Sequence, residues 1–548
     1  MRKKALYVFH MDYKEPIAVI KTGLVLVYLI AAALVWQGNA ALPLEFHDRE
    51  MFADHERIAA EPSFFFSADK AQYNGRWLAN AYQLAVYWLI GENSPFAYRL
   101  LALLLHGAVT ALLVRLALLK GCSSLVAHGA GLWFLVTPSH YQVIHHISAV
   151  DYILCALFGL WALSRAVANR AWDGWVVLGL LCAMLSHQAG VIFAGFCWHA
   201  VYWGRWRAGV LAAVLVGGSG LALWFSLPAS TSGGGAATAF SALLSWQYAW
   251  ELIQSFIGLF GRLAAFAFFF PLPPNSPSNV LVGLGLGGLL TTAWLGYRRH
   301  PAFSWAIGSV VLCLPFALLI NEFLAGLTAG PIRYVYFSSG FAFVAALTLL
   351  ESLGKRWLGL CIGMGVVVSL FSWPEARELT RASAAWAAAD GHEEEALVLY
   401  QSLWQSELLP PEYIEGAHEN ALILAVGRVD NFDSLFALAR TRYPDNERIG
   451  LVAACLEVIE EPRTLARYAK IWAADTEASM VVGSVLYRLF RYHARRGETG
   501  KMYAALVIAQ TLSPREHMAK ALAEVRRVLA SHDKLDAVHA DYIRVYGL

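Results

Sequence analysis

Long apolar runs separated by short polar breaks fill the first two thirds of the chain, and the pattern changes near residue 374. A membrane-spanning helix needs about 20 mostly apolar residues. Candidate runs lie near 18–37, 97–119, 124–138, 147–164, 173–186, 189–204, 208–227, 278–297, 303–321, 335–351 and 356–373, about eleven in all. Lys120, Arg165, Arg170, Arg205, Arg207, Arg298, Arg299, Lys355 and Arg356 then share the side that holds the basic N-terminus, as the bias of Lys and Arg toward cytoplasmic loops requires. This works only if 249–270, with Glu251 and Arg262, lies at the outer surface and does not cross. The outer side receives the loops 38–96, 139–146, 228–277 and 322–334, and everything after the last span.

After residue 374 the period becomes that of amphipathic helices broken by turn residues. Gly391, Gly427, Pro462 and Gly497 stand 35 or 36 residues apart, close to the ~34-residue period of tetratricopeptide-type helix pairs. The expected fold is therefore all-α: a polytopic helical bundle over 1–374 and a helical-repeat domain over 375–548 on the outer side. Stacked helix pairs of that kind present concave surfaces to peptides or partner proteins. A generic helical bundle with chance glycines is the plainer reading of the same spacing.

Composition supports the division. The chain is 58% hydrophobic and 15% charged, with mean hydropathy +0.49, whereas soluble proteins carry about 25% charged residues. More than half of the charged side chains fall in 375–548. A net charge of +2 offers no basic face for nucleic acid. The seven cysteines form no CxxC and predict neither disulfides nor a metal–thiolate site.

Candidate chemistry lies in the outer loops. His47, Asp48, Glu50, Asp54 and Glu56 fall within ten residues. Asp48 and Glu50 stand close enough in sequence to share a divalent cation such as Mg or Mn, or to deprotonate and orient an acceptor hydroxyl. A solvated acidic loop is the bland alternative. Arg76-Trp77-Leu78 opens an apolar stretch that reads as a helix lying along the membrane. His140, His145 and His146 cluster at the ends of two spans, with Asp151 a turn inside the next, and His187-Gln188 forms a second polar turn on the same side. Ionisable groups at the edge of hydrocarbon are costly and point by default to function; interfacial histidines that only hydrogen-bond are the alternative. Arg333-Tyr334-Val335-Tyr336 precedes an outward-starting span, where an arginine either clamps a lipid phosphate or snorkels among interfacial aromatics. Gly283–Gly288 lies inside a span and follows no strand, so it reads as helix packing. No nucleotide-binding loop or nucleophile elbow is present, so a group donor has to come from the membrane itself.

Four motifs, in order over residues 20–350, resemble the multi-span glycosyltransferases of the GT-C fold. Within them the likeness is to the transmembrane and tetratricopeptide-repeat O-mannosyltransferases and their bacterial relatives. They are His47-Asp48 with Met51, Asp54 and Ile58; Arg76-Trp77-Leu78 with Gly91–Phe96 and Leu105-His106; Pro138-Ser139-His140 with Ile144 and Ile147-Ser148; and Arg333-Tyr334-Val335-Tyr336. The resemblance implies transfer of a sugar from a polyprenyl-phosphate donor, with inversion, to an acceptor hydroxyl on the periplasmic face of a bacterial inner membrane. Asp48 would be the base, assisted by Glu50. Arg333, with Arg76, Tyr334 and Tyr336, would hold the donor phosphate, and His47, His140, His145, His146, Asp151, His187 and Gln188 would line the pocket. The acceptor would be an exported or pilus protein or a glycan, met through the repeat domain. The chain departs from the family at His47 for an aspartate, Thr137 for the first histidine of HPxH, Gln142 for its acid, Val150 for an arginine, and His187-Gln188 for Lys-Glu. Two other readings stay open: a non-enzymatic membrane scaffold that binds partners through its repeats, and, more weakly, a transporter.

Overall fold

A computed structural model describes residues 22–37, 42–44, 46–67, 76–91, 94–202, 253, 256–261, 278–320, 335–389, 392–409, 411–426, 432–461, 464–531 and 534–546. All regular secondary structure among them is helical. The expected span 208–227, most of 249–270, the loop 322–334 with Arg333 and Tyr334, and the turn residues Gly391, Gly427 and Pro462 lie outside the described residues. The chain divides into two compact units, Met1–Leu42 with Glu50–Trp373, and Pro43–Arg49 with Pro374–Leu548.

In the first unit the helices are α1 (Thr22–Trp36), α2 (Phe46–Ala60, whose residues 46–49 belong to the second unit), α3 (Trp77–Ile90), α4 (Pro95–Leu119), α5 (Ser124–Val136), α6 (Tyr141–His145), α7 (Val150–Asn169), α8 (Gly174–Ser186), α9 (Val191–Val201), α10 (Ser278–Tyr297), α11 (Phe303–Ile320), α12 (Tyr336–Glu351) and α13 (Lys355–Phe371). The described residues of 46–91, expected as part of an outer loop, are largely helical: α2, a 3-10 turn at Pro62–Phe66, and α3. Three helical stretches among the described residues are long and apolar enough to cross a membrane by length and composition, Pro95–Leu119, Ile147–Asn169 and Lys355–Trp386. Helices such as Ser124–Val136 and Gly174–Ser186 are apolar but shorter; at 1.5 Å per residue, 13 residues rise only about 20 Å.

α5 is the hub, packing on α1, α4, α12 and α13. Its small residues make this possible. A Cβ on Gly129 would strike Ile362, and one on Gly131 would strike Val114 and the Tyr28 hydroxyl; small residues let helices approach closely. Ser123 caps α5 through Val126 N at 3.2 Å, and Asp173 caps α8 through Val176 N at 2.9 Å while pairing with Arg165 at 2.7 Å. In α10 a Cβ on Gly285 would collide with the Ile257 carbonyl, so the glycine-rich segment serves close packing and not a nucleotide loop.

In the second unit α14 (Trp373–Ala388, whose Trp373 belongs to the first unit) is followed by α15 (Glu393–Leu403), α16 (Pro411–Ala425), α17 (Phe432–Arg442), α18 (Glu447–Glu460), α19 (Leu465–Ala474), α20 (Thr476–Arg495), α21 (Thr499–Leu512), α22 (Glu516–Ser531) and α23 (Leu535–Tyr546). Gly391, Gly427, Pro462 and Gly497 fall between α14 and α15, α16 and α17, α18 and α19, and α20 and α21, at every second connection. Gly497 has φ +70, the left-handed conformation that ends a helix most cheaply when the residue is glycine.

Candidate active site

Arg76 sits immediately before α3 and is buried. Its Nη1 pairs with Asp151 Oδ2, and its Nε donates to Gln188 Oε1 at 3.3 Å. Asp151 lies in the first turn of α7, where a carboxylate complements the helix dipole, and its Oδ1 accepts from Tyr152 N at 2.9 Å. Gln188 opens the 3-10 turn Gln188–Gly190 between α8 and α9. Three candidate residues from three distant segments thus meet in one polar cluster, Arg76 and Asp151 buried and Gln188 half-buried. Tyr152 packs beneath it, 5.9 Å from the guanidinium carbon and 4.7 Å from the His187 ring. Gln83, one face of α3 further on, donates to the carbonyls of Ile147 (3.4 Å) and Ser148 (3.1 Å).

The histidines separate into distinct environments. His140 belongs with α4 and α12: its Nε2 lies 2.8 Å from Ser339 Oγ, and its ring contacts those of His106, Phe134 and Tyr336. The Ser339 hydroxyl donates to the Tyr336 carbonyl at 2.9 Å, so it accepts from His140, which places the His140 proton on Nε2. Burial and the neighbouring His106 hold His140 well below the usual imidazole range, so the ring is neutral. His106 Nδ1 meets the Tyr336 hydroxyl at 2.8 Å. His145 and His146 instead pack on Tyr141, and His145 also on Trp373. His187 accepts from Ala189 N at 3.1 Å and so caps its own turn. Phe337 joins the two groups, packing on Tyr336, Tyr152 and His187.

Asp48 is buried in the first turn of α2, not solvated in a loop. Asp48 and Glu50, offered from sequence as partners on one cation, stand two positions apart on α2. Residues two apart point about 200° from one another around the axis, so these carboxylates diverge. Asp48 is indeed buried while Glu50 is half-buried, and His47 is half-buried beside them. Among the described residues no three His, Cys, Asp or Glu side chains are grouped to hold a metal ion.

Sequence reasoning missed Arg99, which is fully buried in α4 and donates from Nε to the His145 carbonyl (2.8 Å) and from Nη1 to the Leu42 carbonyl (2.6 Å). Its signal was visible: an arginine one turn into an apolar run. His106 was noted only as part of a motif, and Ser339, Tyr152 and Gln83 carried no signal of their own.

Comparison with family models, with curated proteins and with solved structures finds no match to this chain.

Proposed function

We propose that the chain is a polytopic membrane glycosyltransferase of GT-C type. It would move a sugar from a polyprenyl-phosphate donor to an acceptor hydroxyl on the outer face of a bacterial inner membrane. The observation that carries the reading is the buried Arg76–Asp151 pair, joined by Gln188, within an apolar helical unit. Ionisable groups in such surroundings are expensive and cluster at functional sites. A guanidinium oriented by a carboxylate and an amide is a pre-organised fork for phosphate oxygens. In this reading Asp48 is the general base, Arg333 and Arg76 hold the phosphate as it gains charge, and the second unit, of tetratricopeptide type, recruits the acceptor.

The test is transfer of radiolabel from a panel of polyprenyl-phosphate sugars by the full chain in vesicles, with outer-face proteins and glycans of the host membrane as acceptors. Asp48→Asn should lower turnover by about 10²–10⁴-fold, the usual contribution of a general base, in a variant that still folds. Undiminished turnover in that variant would end the assignment. The succession of helices in the second unit favours, as a second reading, a non-enzymatic scaffold for envelope assembly, which predicts no turnover of any lipid-linked sugar and an Asp48→Asn variant that keeps its cellular phenotype.

A further inference from the structure

α3 buries its two amides beside Ala79, Leu84 and Val86, and exposes an apolar stripe. Residues Trp77–Ile90 contain no Asp, Glu, Lys or Arg, and the two amide side chains of the helix point into the protein: Asn80 is 7% and Gln83 is 3% exposed. Trp88 and Leu89, by contrast, are 66% and 84% exposed. The outward row Trp77, Ala81, Ala85 and Trp88 follows the i, i+4, i+8, i+11 spacing of one helical stripe and is wholly apolar. The inward row Arg76, Asn80 and Gln83 follows i, i+4, i+7, and two of its members bond Asp151, Gln188 and the Ile147 and Ser148 carbonyls. Phe66, 73% exposed, extends the outer surface, with its ring 5.7 Å from Trp77 and 5.1 Å from Phe65.

A helix on a water-facing surface shows the opposite arrangement, apolar inward and polar outward. Burying hydrogen-bonded amides while exposing a contiguous stripe of tryptophans and leucine suits an exterior of low polarity. At 14 residues, α3 rises about 21 Å, short of the ~30 Å hydrocarbon core, so it cannot cross. Its surface is continuous in the chain with α4, one of the candidate spans, which itself exposes Leu104. Tryptophans toward both ends of the stripe suit the boundary between headgroups and acyl chains.

We infer that the outward face of α3, together with Phe65 and Phe66, is a lipid-contact surface covered by bilayer acyl chains at the headgroup boundary. The Arg76–Asp151–Gln188 cluster lies on the helix's opposite side. The inference stands on the burial pattern alone and holds whatever reaction the chain carries out.

To test it, Trp88 is replaced by the photoreactive residue p-benzoylphenylalanine in the full chain. The protein is reconstituted in vesicles of phosphatidylethanolamine and phosphatidylglycerol, irradiated, and weighed intact. The expected result is a mass increase of one phospholipid, mapped to the peptide carrying residue 88. Leu89 carries the same label in a second variant, so a Trp88 variant that fails to fold does not decide the matter. A crosslink joining two chains would overturn the inference and make the face a contact between copies. Recovery of the folded chain without any lipid adduct at either position would overturn it as well, since the face would then meet water. Neither result depends on sugar transfer, so failure here is distinguishable from failure of the proposed reaction.

Discussion

The Tyr336 hydroxyl lies 2.8 Å from Nδ1 of His106, and the other ring nitrogen, Nε2, faces the Leu135 carbonyl at 3.3 Å. A carbonyl only accepts, so Nε2 carries the ring proton and Nδ1 accepts the phenolic one. Tyr336 therefore turns its proton toward α4. The family resemblance implies a place for it at the donor phosphate; the hydrogen bond also ties α12 to α4.

Tyr336→Phe should accordingly cost stability and leave transfer within a few-fold of wild type. The buried His106 Nδ1 would lose its donor, a penalty of about 1–3 kcal/mol. Thermal unfolding in detergent and the vesicle transfer assay measure the two effects separately. Unchanged stability with abolished transfer would return Tyr336 to the donor site.

Asp151→Ala leaves the Arg76 guanidinium buried without its carboxylate, which should destabilise the protein by about 3–5 kcal/mol. Replacing both partners, Arg76→Met with Asp151→Leu, should cost much less than the sum of the single changes. A double-mutant cycle on unfolding reads the coupling, and strict additivity would show that the two side chains do not act as a pair.

Gly190 ends the turn that presents Gln188. A Cβ there would approach the backbone of α8, at 2.5 Å from Ala183 C and 2.6 Å from Met184 N, where no rotamer can yield. Gly190→Ala should cost about 1–3 kcal/mol, the usual range for overpacking. Gly174→Ala at the start of the same helix meets nothing within 4 Å and should stay within about 0.5 kcal/mol. Equal unfolding temperatures for the two variants would contradict the packing argument.

In the second unit His418 stacks on Trp404, with ring centroids 4.5 Å apart, and its Nδ1 donates to the Ile414 carbonyl at 2.9 Å. Burial lowers its pKa below the ordinary imidazole value of 6.5 and Arg442 lowers it further, against the Ile414 bond, which raises it. The unfolded chain therefore takes up the proton more readily. This contribution to stability is complete above about pH 6.5 and declines as pH falls below that value toward the folded pKa. Hydrogen exchange, corrected for intrinsic rates, should show α15 and α16 opening more readily at about pH 5.5 than at about pH 7.5. His418→Phe should remove the difference, and its persistence in that variant would exonerate His418.

The order of apolar runs, turn residues and caps determined from sequence alone that the chain is helical, and where many of its helices lie. Ser278–Tyr297, Tyr336–Glu351 and Lys355–Phe371 closely follow the hydrophobic runs that announce them, because an apolar run bounded by polar breaks is a local property. The polar residues within or beside those runs, Arg76, His140, Asp151 and Gln188, were visible as candidates because their burial is costly wherever it occurs. Their partners were not legible. Arg76 chose an aspartate 75 residues away, His140 chose Ser339 and not His145, and Arg99 chose two backbone carbonyls. Even Asp48 and Glu50, two positions apart, were separated by the turn of α2. Composition and periodicity specify which side chains must be satisfied; only the packing of helices, by bringing distant segments within hydrogen-bond distance, decides by what.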